Sequence, residues 1–297
     1  MSGTGNVRER PKGGGEPLQP ELREGVRSTL TRLSRTGELP TLPAAATAAM
    51  AIARDPEAGV DALCNVIRRD VGLSARILRV ANSAAYARRV PARTLVDAVL
   101  TLGLRKTCDL LVAANAKQLF RAVPRYAERL WKHALAAALA AEEVACETRA
   151  LDPHLVFLPG LFHDVGRIAF FIAAVEGGPG TTDETFASAE AHPDRERAWY
   201  GFDHAEAGAI LAEEWGLAHD QVEAIRWYHQ PAQAERGQLL AAVINVADAM
   251  AYAMGFGGGG PTPEDVGHVI LGFTQAQLDG ILSRARAAYG VHAVLLA

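Results

Sequence analysis

From Ala44 to the C-terminus, apolar positions recur at helical spacing almost without interruption, and no run of alternating apolar and polar residues supports a strand. The pattern predicts an all-α fold. An earlier stripe, Val26, Leu30 and Leu33, predicts a helix over 21–35 that Thr36-Gly37 ends. Leu39-Pro40-Thr41-Leu42-Pro43 then reads as extended, because each proline locks its own φ and pushes its predecessor out of the helical region. Helices follow at 44–53, 60–69, 73–81, 95–102 (stopped by Gly103), 105–120 and 126–148. From Leu155 to Val175 apolar residues fall on nearly every side of the helical wheel, which predicts a buried central helix. Gly177 to Glu184 reads as a surface loop, and 205–215, 220–227 and 238–254 as further helices. Thr262-Pro263 and Thr274-Gln275-Ala276-Gln277 announce the last two, the second ended by Gly290.

These elements divide the chain into a flexible tail (1–20), an N-terminal helical subdomain (21–125), a second helical bundle (126–255) and a C-terminal helical extension (256–297). No internal repeat is found. At 297 residues, about half of them apolar, the chain can bury a large core. No uncharged apolar run is long enough to span a bilayer, and Arg8, Arg10 and Lys12 lead into glycines rather than an apolar stretch. A cytoplasmic protein is expected. Cys64, Cys108 and Cys146 lack CxxC spacing and read as buried small apolar residues. The net charge of -4 conceals an asymmetry: residues 1–125 carry 20 Lys/Arg against 11 Asp/Glu, and residues 126–297 carry 10 against 23. Arg68, Arg69, Arg88, Arg89, Arg93, Arg105 and Lys106 form the basic part, with Arg88, Arg89 and Arg93 in a loop placed to bind an anionic partner. The competing account is mutual neutralisation where the two halves pack.

The candidate chemistry centres on His163-Asp164, set in the apolar run. A buried carboxylate there needs a cation, hydrogen-bond donors or a metal ion. The acidic half also holds His133, His204, His229 and Asp248, all on or beside predicted helices, and the set suits a divalent ion such as Mn, Fe, Mg or Zn. Asp164 and Arg167 are the candidate catalytic residues: Asp164 can bridge a cluster, and Arg167, three residues on, can pair with it or reach a phosphate. Gly166, lacking a Cβ, would let a backbone or substrate approach. A hydrogen-bonded core network without metal is the structural alternative, and the residues alone leave both open. His154, His192, His219, His268 and His292 fit no ligand pattern.

The order His133, His163-Asp164, His204, His229, Asp248 is similar to that of the HD superfamily of metal-dependent phosphohydrolases. More narrowly, Leu39-Pro40-Thr41-Leu42-Pro43, Ile77 to Ala84, Leu102-Gly103-Leu104-Arg105, Phe162 to Gly166, Phe202 to Gly208 and Tyr228-His229-Gln230-Pro231 resemble the HDOD domain of bacterial signalling proteins. The resemblance implies an N-terminal bundle packed on an HD-like one, and an output module, often without catalysis, that binds a regulatory protein or nucleotide. It carries His133, His163, Asp164 and Asp248 onto the superfamily ligand set, and His204 and His229 onto the further histidines of the HD-GYP phosphodiesterases. Tyr228 stands where the first paired histidine is expected, Arg167 where lysine is usual, and Arg129 where a glutamate would be. These departures point away from cyclic-dinucleotide hydrolysis. A metal-dependent phosphohydrolase is the alternative reading, and a helix-turn-helix over Asp61 to Ser83, turning at Asp70-Val71-Gly72, a further one. Specific DNA reading is not expected.

Overall fold

Ala127–Thr148 contains so much alanine that other helices can approach it on every side, and it becomes the axis of the protein. The computed structural model describes residues 41–86, 89–122, 127–168, 193–257 and 266–293. The expected tail, the helix over 21–35, the loop at 177–184, the Thr262 cap, Arg88 and His192 lie outside them. Among the described residues every regular element is helical.

The N-terminal elements are α1 (Ala44–Arg54), α2 (Val60–Ile67), α3 (Val71–Ala81), α4 (Leu95–Leu102) and α5 (Leu104–Ala116). A capping box joins Thr94 and Asp97 at the start of α4, and Gly103 at φ 86° ends it and starts α5. The turn between α2 and α3 falls one step earlier than the sequence suggests. Asp70 accepts from Leu73 N as the cap, so Gly72 lies inside α3 rather than in the turn. α1 packs along α5, and α2 on α4.

Around α6 (Ala127–Thr148) stand α7 (Phe157–Phe162), α8 (Pro193–Tyr200), α9 (His204–Glu214), α10 (His219–Trp227), α11 (Gln238–Ala251), α12 (Gly267–Leu271) and α13 (Gln275–His292). α7, α11 and α13 pack directly on α6. One apolar cluster runs from Ala46 in α1 through Leu110, Trp131 and Phe162 to Ile225 in α10, so the core does not stop at residue 125. A second joins the far half of α6 to α10, α11 and α13 through Val144, Ile244 and Ile281. Gln238–Phe256 is long and apolar enough to cross a membrane by length and composition, but it is mostly buried in the protein.

Three expectations are corrected. In the described part of the buried helix expected over Leu155–Val175, residues 155–168, the continuous helix is broken: Phe157–Phe162 is helical and turns follow it, while the axial position belongs to α6 and residues 169–175 lie outside the described residues. After Phe162 the bonding changes to i→i+3, with Val165 N on Phe162 O (3.0 Å) and Arg167 N on Asp164 O (3.0 Å), so residues 163–166 form tightened turns. A turn packed on all sides has the same all-round apolar pattern as a buried helix. Gly290 does not end the last helix, which runs on to His292; a glycine costs a helix only about 1 kcal/mol, and His292 is anchored by Tyr86 Oη at 3.2 Å. Cys64 and Cys108 are buried, but Cys146 is exposed on the outer side of α6.

Candidate metal centre

The turn after α7 delivers His163 and Asp164 to a centre that α6, α9, α10 and α11 complete with His133, His204, Tyr228, His229 and Asp248. Gly166 permits this convergence. A Cβ there would lie 2.0 Å from His204 O and 2.6 Å from Gly208 N, so only glycine lets the turn sit against the first turns of α9.

One side of the centre consists of His133, His163 and Asp248. His163 Nδ1 donates to Gly160 O at 2.8 Å, which directs Nε2 inward, 3.1 Å from His133 Nε2. Asp248 Oδ1 lies 3.2 Å from His133 Nε2 and 3.6 Å from His163 Nε2. Donor atoms about 2.1 Å from one ion stand roughly 3.0 to 3.4 Å apart in octahedral or tetrahedral coordination, close to these spacings. Asp248 Oδ1 is buried without an aligned hydrogen bond, and so is His133 Nδ1. An orphaned carboxylate oxygen among imidazole nitrogens fits a cation, and the three residues form a group able to hold a metal ion. Burial would raise the Asp248 pKa, but the His133 and His163 imidazoles beside it hold it well below the usual carboxylate range. His163 is likewise raised, against its own burial, by Asp164 and Asp248.

The other side is closed by the protein's own protons and charges. Arg167 Nε stands 2.8 Å from Asp164 Oδ2, and Tyr228 donates its hydroxyl to Asp164 Oδ1 at 2.9 Å. His204 Nε2 is 2.7 Å from Tyr228 Oη, 2.9 Å from His229 Nε2 and 3.3 Å from Asp164 Oδ1. Its Nδ1 is 2.6 Å from Glu196 Oε2, which also accepts from His204 N at 2.8 Å. Burial would depress His204, but Glu196 and Asp164 outweigh it and raise its pKa to about 9. Burial and the neighbouring His204 push His229 far down, so it is a neutral acceptor. Asp164 stays ionised despite burial, because Arg167, His163 and His204 surround it.

All six residues expected to hold metal therefore meet, with Asp164 between the two sides and 3.5 Å from His133 Nε2. Asp248 lies against His133, while Arg226 on the neighbouring helix pairs with Glu223 at 3.2 Å. Glu196 is the residue the sequence reading missed. Pro193 with acidic residues Asp194 and Glu196 in the first turn is a helix-start signal that would have found α8. The basic residues separate. Arg89 and Arg93 are exposed, but Lys106 is buried in an ion pair with Glu142, and Arg105 faces Asp152 at 4.0 Å. Lys106 thus joins α5 to α6 rather than a solvent-facing patch.

An all-α bundle centred on a His-Asp doublet with helix-borne histidines and a distal aspartate is of the HD class. The HDOD domain model matches residues 39–231, and the chain belongs to that family. It is similar to a solved HDOD domain protein of unknown function from Geobacter sulfurreducens (24% identity, TM-score 0.67, covering 93% of this chain and 97% of that one). A Shewanella amazonensis protein provisionally described as a phosphohydrolase matches at 25% identity and TM-score 0.62, over 91% of this chain and 98% of that one. An uncharacterised Treponema pallidum (strain Nichols) protein is 26% identical over 199 residues, 66% of this chain but only 38% of that protein's length.

Proposed function

We propose that this chain is a bacterial cytoplasmic signalling module of the HDOD type, without catalysis, that binds a regulatory protein or nucleotide. The observation carrying this reading is the closed side of the centre. Arg167 and the Tyr228 hydroxyl both engage Asp164, so the carboxylate that would bridge two ions is already compensated by a guanidinium and a phenol. A clamp of two ions stabilises both the attacking and leaving oxygens of a phosphoester, and this chain fills that place itself. The exposed Arg89 and Arg93, with Arg88 beside them in sequence, supply the anion-attracting surface of the proposed partner site.

The open side supports a narrower role for metal. His133, His163 and Asp248, flanked by Asp164, would hold one divalent ion, Mn, Fe, Mg or Zn. Such an ion supplies Lewis acidity and acidifies a bound water. In the chain itself, the Gly160 carbonyl fixes the His163 tautomer, and Tyr252 packs edge-on against His133 with ring centroids 5.5 Å apart. The alternative reading, a metal-dependent phosphohydrolase, is favoured by the orphaned Asp248 Oδ1. Elemental analysis of protein purified without chelator, paired with a cyclic-di-GMP turnover assay, separates the two. We expect no more than one equivalent of metal and no multiple turnover; repeated turnover abolished by Asp164→Ala would overturn the non-catalytic reading.

A further inference from the structure

Away from the His-Asp centre, a cavity of about 160 Å³ opens where α1 and α5 meet the start of α7 and the loop between α9 and α10. Its walls are largely apolar, with Met50, Leu155, Leu158 and Leu217 among them, but three charged residues also line it: Arg54, Arg105 and Asp109. Asp109 is only 5% exposed, and its Oδ2 is buried without a hydrogen-bond partner. His154, which also lines the cavity, forms a loose ion pair with it at 3.8 Å, longer than a hydrogen bond, and Asp109 raises the His154 pKa. Lys106, one residue before Thr107 on the same helix, is committed to Glu142. The wall thus contains a buried carboxylate oxygen that has an ion-pair partner but no aligned hydrogen-bond donor. The rim has the opposite character. Arg105 is exposed and its only ion pair among the described residues is the loose one with Asp152 at 4.0 Å, while Arg54 is held across the mouth by Met50 O and Gly216 O.

We propose that this cavity binds a short aliphatic zwitterion, its ammonium or guanidinium end on Asp109 and its carboxylate end on Arg105 at the rim. Asp109 and Arg105 are four residues apart on α5, which separates them by about 6 Å along the helix axis. That matches the distance between the side-chain cation and the carboxylate of a basic amino acid rather than the adjacent charges of a simple one. The volume agrees: a dry cavity of about 150 Å³ accepts a molecule the size of benzene, which admits a methylene chain of this length against the leucine and methionine walls and not a whole nucleotide. The position gives binding a consequence. Leu155 and Leu158 precede the His163 turn, and Gln221, bonded to Leu155 O at 2.8 Å, lies on the helix that ends at Tyr228. A ligand here ties α5 to both segments that feed the His-Asp centre.

The test is calorimetric titration of the full chain with lysine, ornithine and 6-aminohexanoate, against butylamine and pentanoate as the separate halves, and GMP as a nucleotide control. We expect saturable binding of at least one zwitterion with one site per chain, and about tenfold or greater weakening for either half-ligand. Asp109→Asn and Arg105→Gln each weaken binding by at least about tenfold while the unfolding midpoint changes little, since Asp109→Asn gives up only a loose ion pair with His154 and removes a buried charge. Absence of saturable binding at millimolar concentration, binding indifferent to both substitutions, or preference for GMP overturns the proposal.

Discussion

If Arg167 stands in for a cation on Asp164, removing it leaves a need that a metal ion can meet. Arg167→Met keeps most of the side-chain volume and deletes the charge. Breaking a fully buried ion pair by removing one partner costs about 3 to 5 kcal/mol. Here Arg167 and Asp164 retain 16% and 11% side-chain exposure, and Tyr228 still donates to Asp164, so the lower end applies, about 3 kcal/mol. For a chain of this size that lowers the unfolding midpoint by roughly 6 to 12 °C. Arg167→Lys, which keeps the charge, loses less than about 1 kcal/mol. The assay is thermal and urea unfolding of wild type and both variants in EDTA and in millimolar Mn²⁺. Ligand linkage returns about 2.7 kcal/mol at a hundred times Kd, so Mn²⁺ restores much of the loss in Arg167→Met and stabilises wild type less. A loss under about 1 kcal/mol would mean the pair is screened by solvent, and equal stabilisation of both proteins by Mn²⁺ would mean that Arg167 does not compete with a cation.

Three further outcomes follow from particular contacts. Gly166→Ala forces a Cβ to within 2.0 Å of His204 O and costs about 3 kcal/mol or more in urea unfolding, whereas Gly290→Ala, inside α13 with nothing within 4 Å, is neutral or stabilises by up to about 1 kcal/mol. Burial and the Lys106 charge lower the His292 pKa from 6.5 to about 4, so the unfolded chain takes up the proton first. The stabilisation is complete above pH 6.5 and falls by about 3 kcal/mol as pH drops toward 4; urea midpoints between pH 7 and pH 4 check this, and His292→Gln should flatten the slope. Replacing Arg88, Arg89 and Arg93 by Ser leaves the unfolding midpoint unchanged, because Arg89 and Arg93 are exposed, and weakens capture of an anionic partner at low salt. A sharp loss of stability with unchanged capture would make them internal staples instead.

Features written in short stretches of chain were legible from sequence. The helix start at Leu95, Gly103 after Leu102, and Thr274 with Gln277 mark helix ends by backbone chemistry that needs no distant partner, and each lies where the pattern put it. What depends on distant packing was not. The apolar run through His163 looks continuous, but α9 lies against Gly166 and the chain turns there, a fact held by Gly208 and His204 rather than by residues 155–175. Lys106 and Arg105 are adjacent and alike in charge, yet only the one facing Glu142 is buried. Glu196 was hidden because α8 is too polar to register as a core helix.

The motif by itself says less about catalysis than the unequal satisfaction of its members. His163, His133, Asp164, His204 and Tyr228 tie the α7 turn to α6, α9 and α10, and a buried polar network whose members satisfy one another specifies a fold whether or not it binds an ion. Selection for that packing alone would keep a histidine at 163, with its Gly160 anchor, and an aspartate at 164, with its Arg167 partner. It would not account for Asp248. Its Oδ1 lies 3.2 Å from His133 Nε2 without an aligned bond, in a core where a neutral residue of similar volume would avoid the desolvation cost. The side of the centre that still asks for a cation is therefore marked by Asp248, on a helix eighty-four residues after the doublet, and not by the doublet that identifies the family.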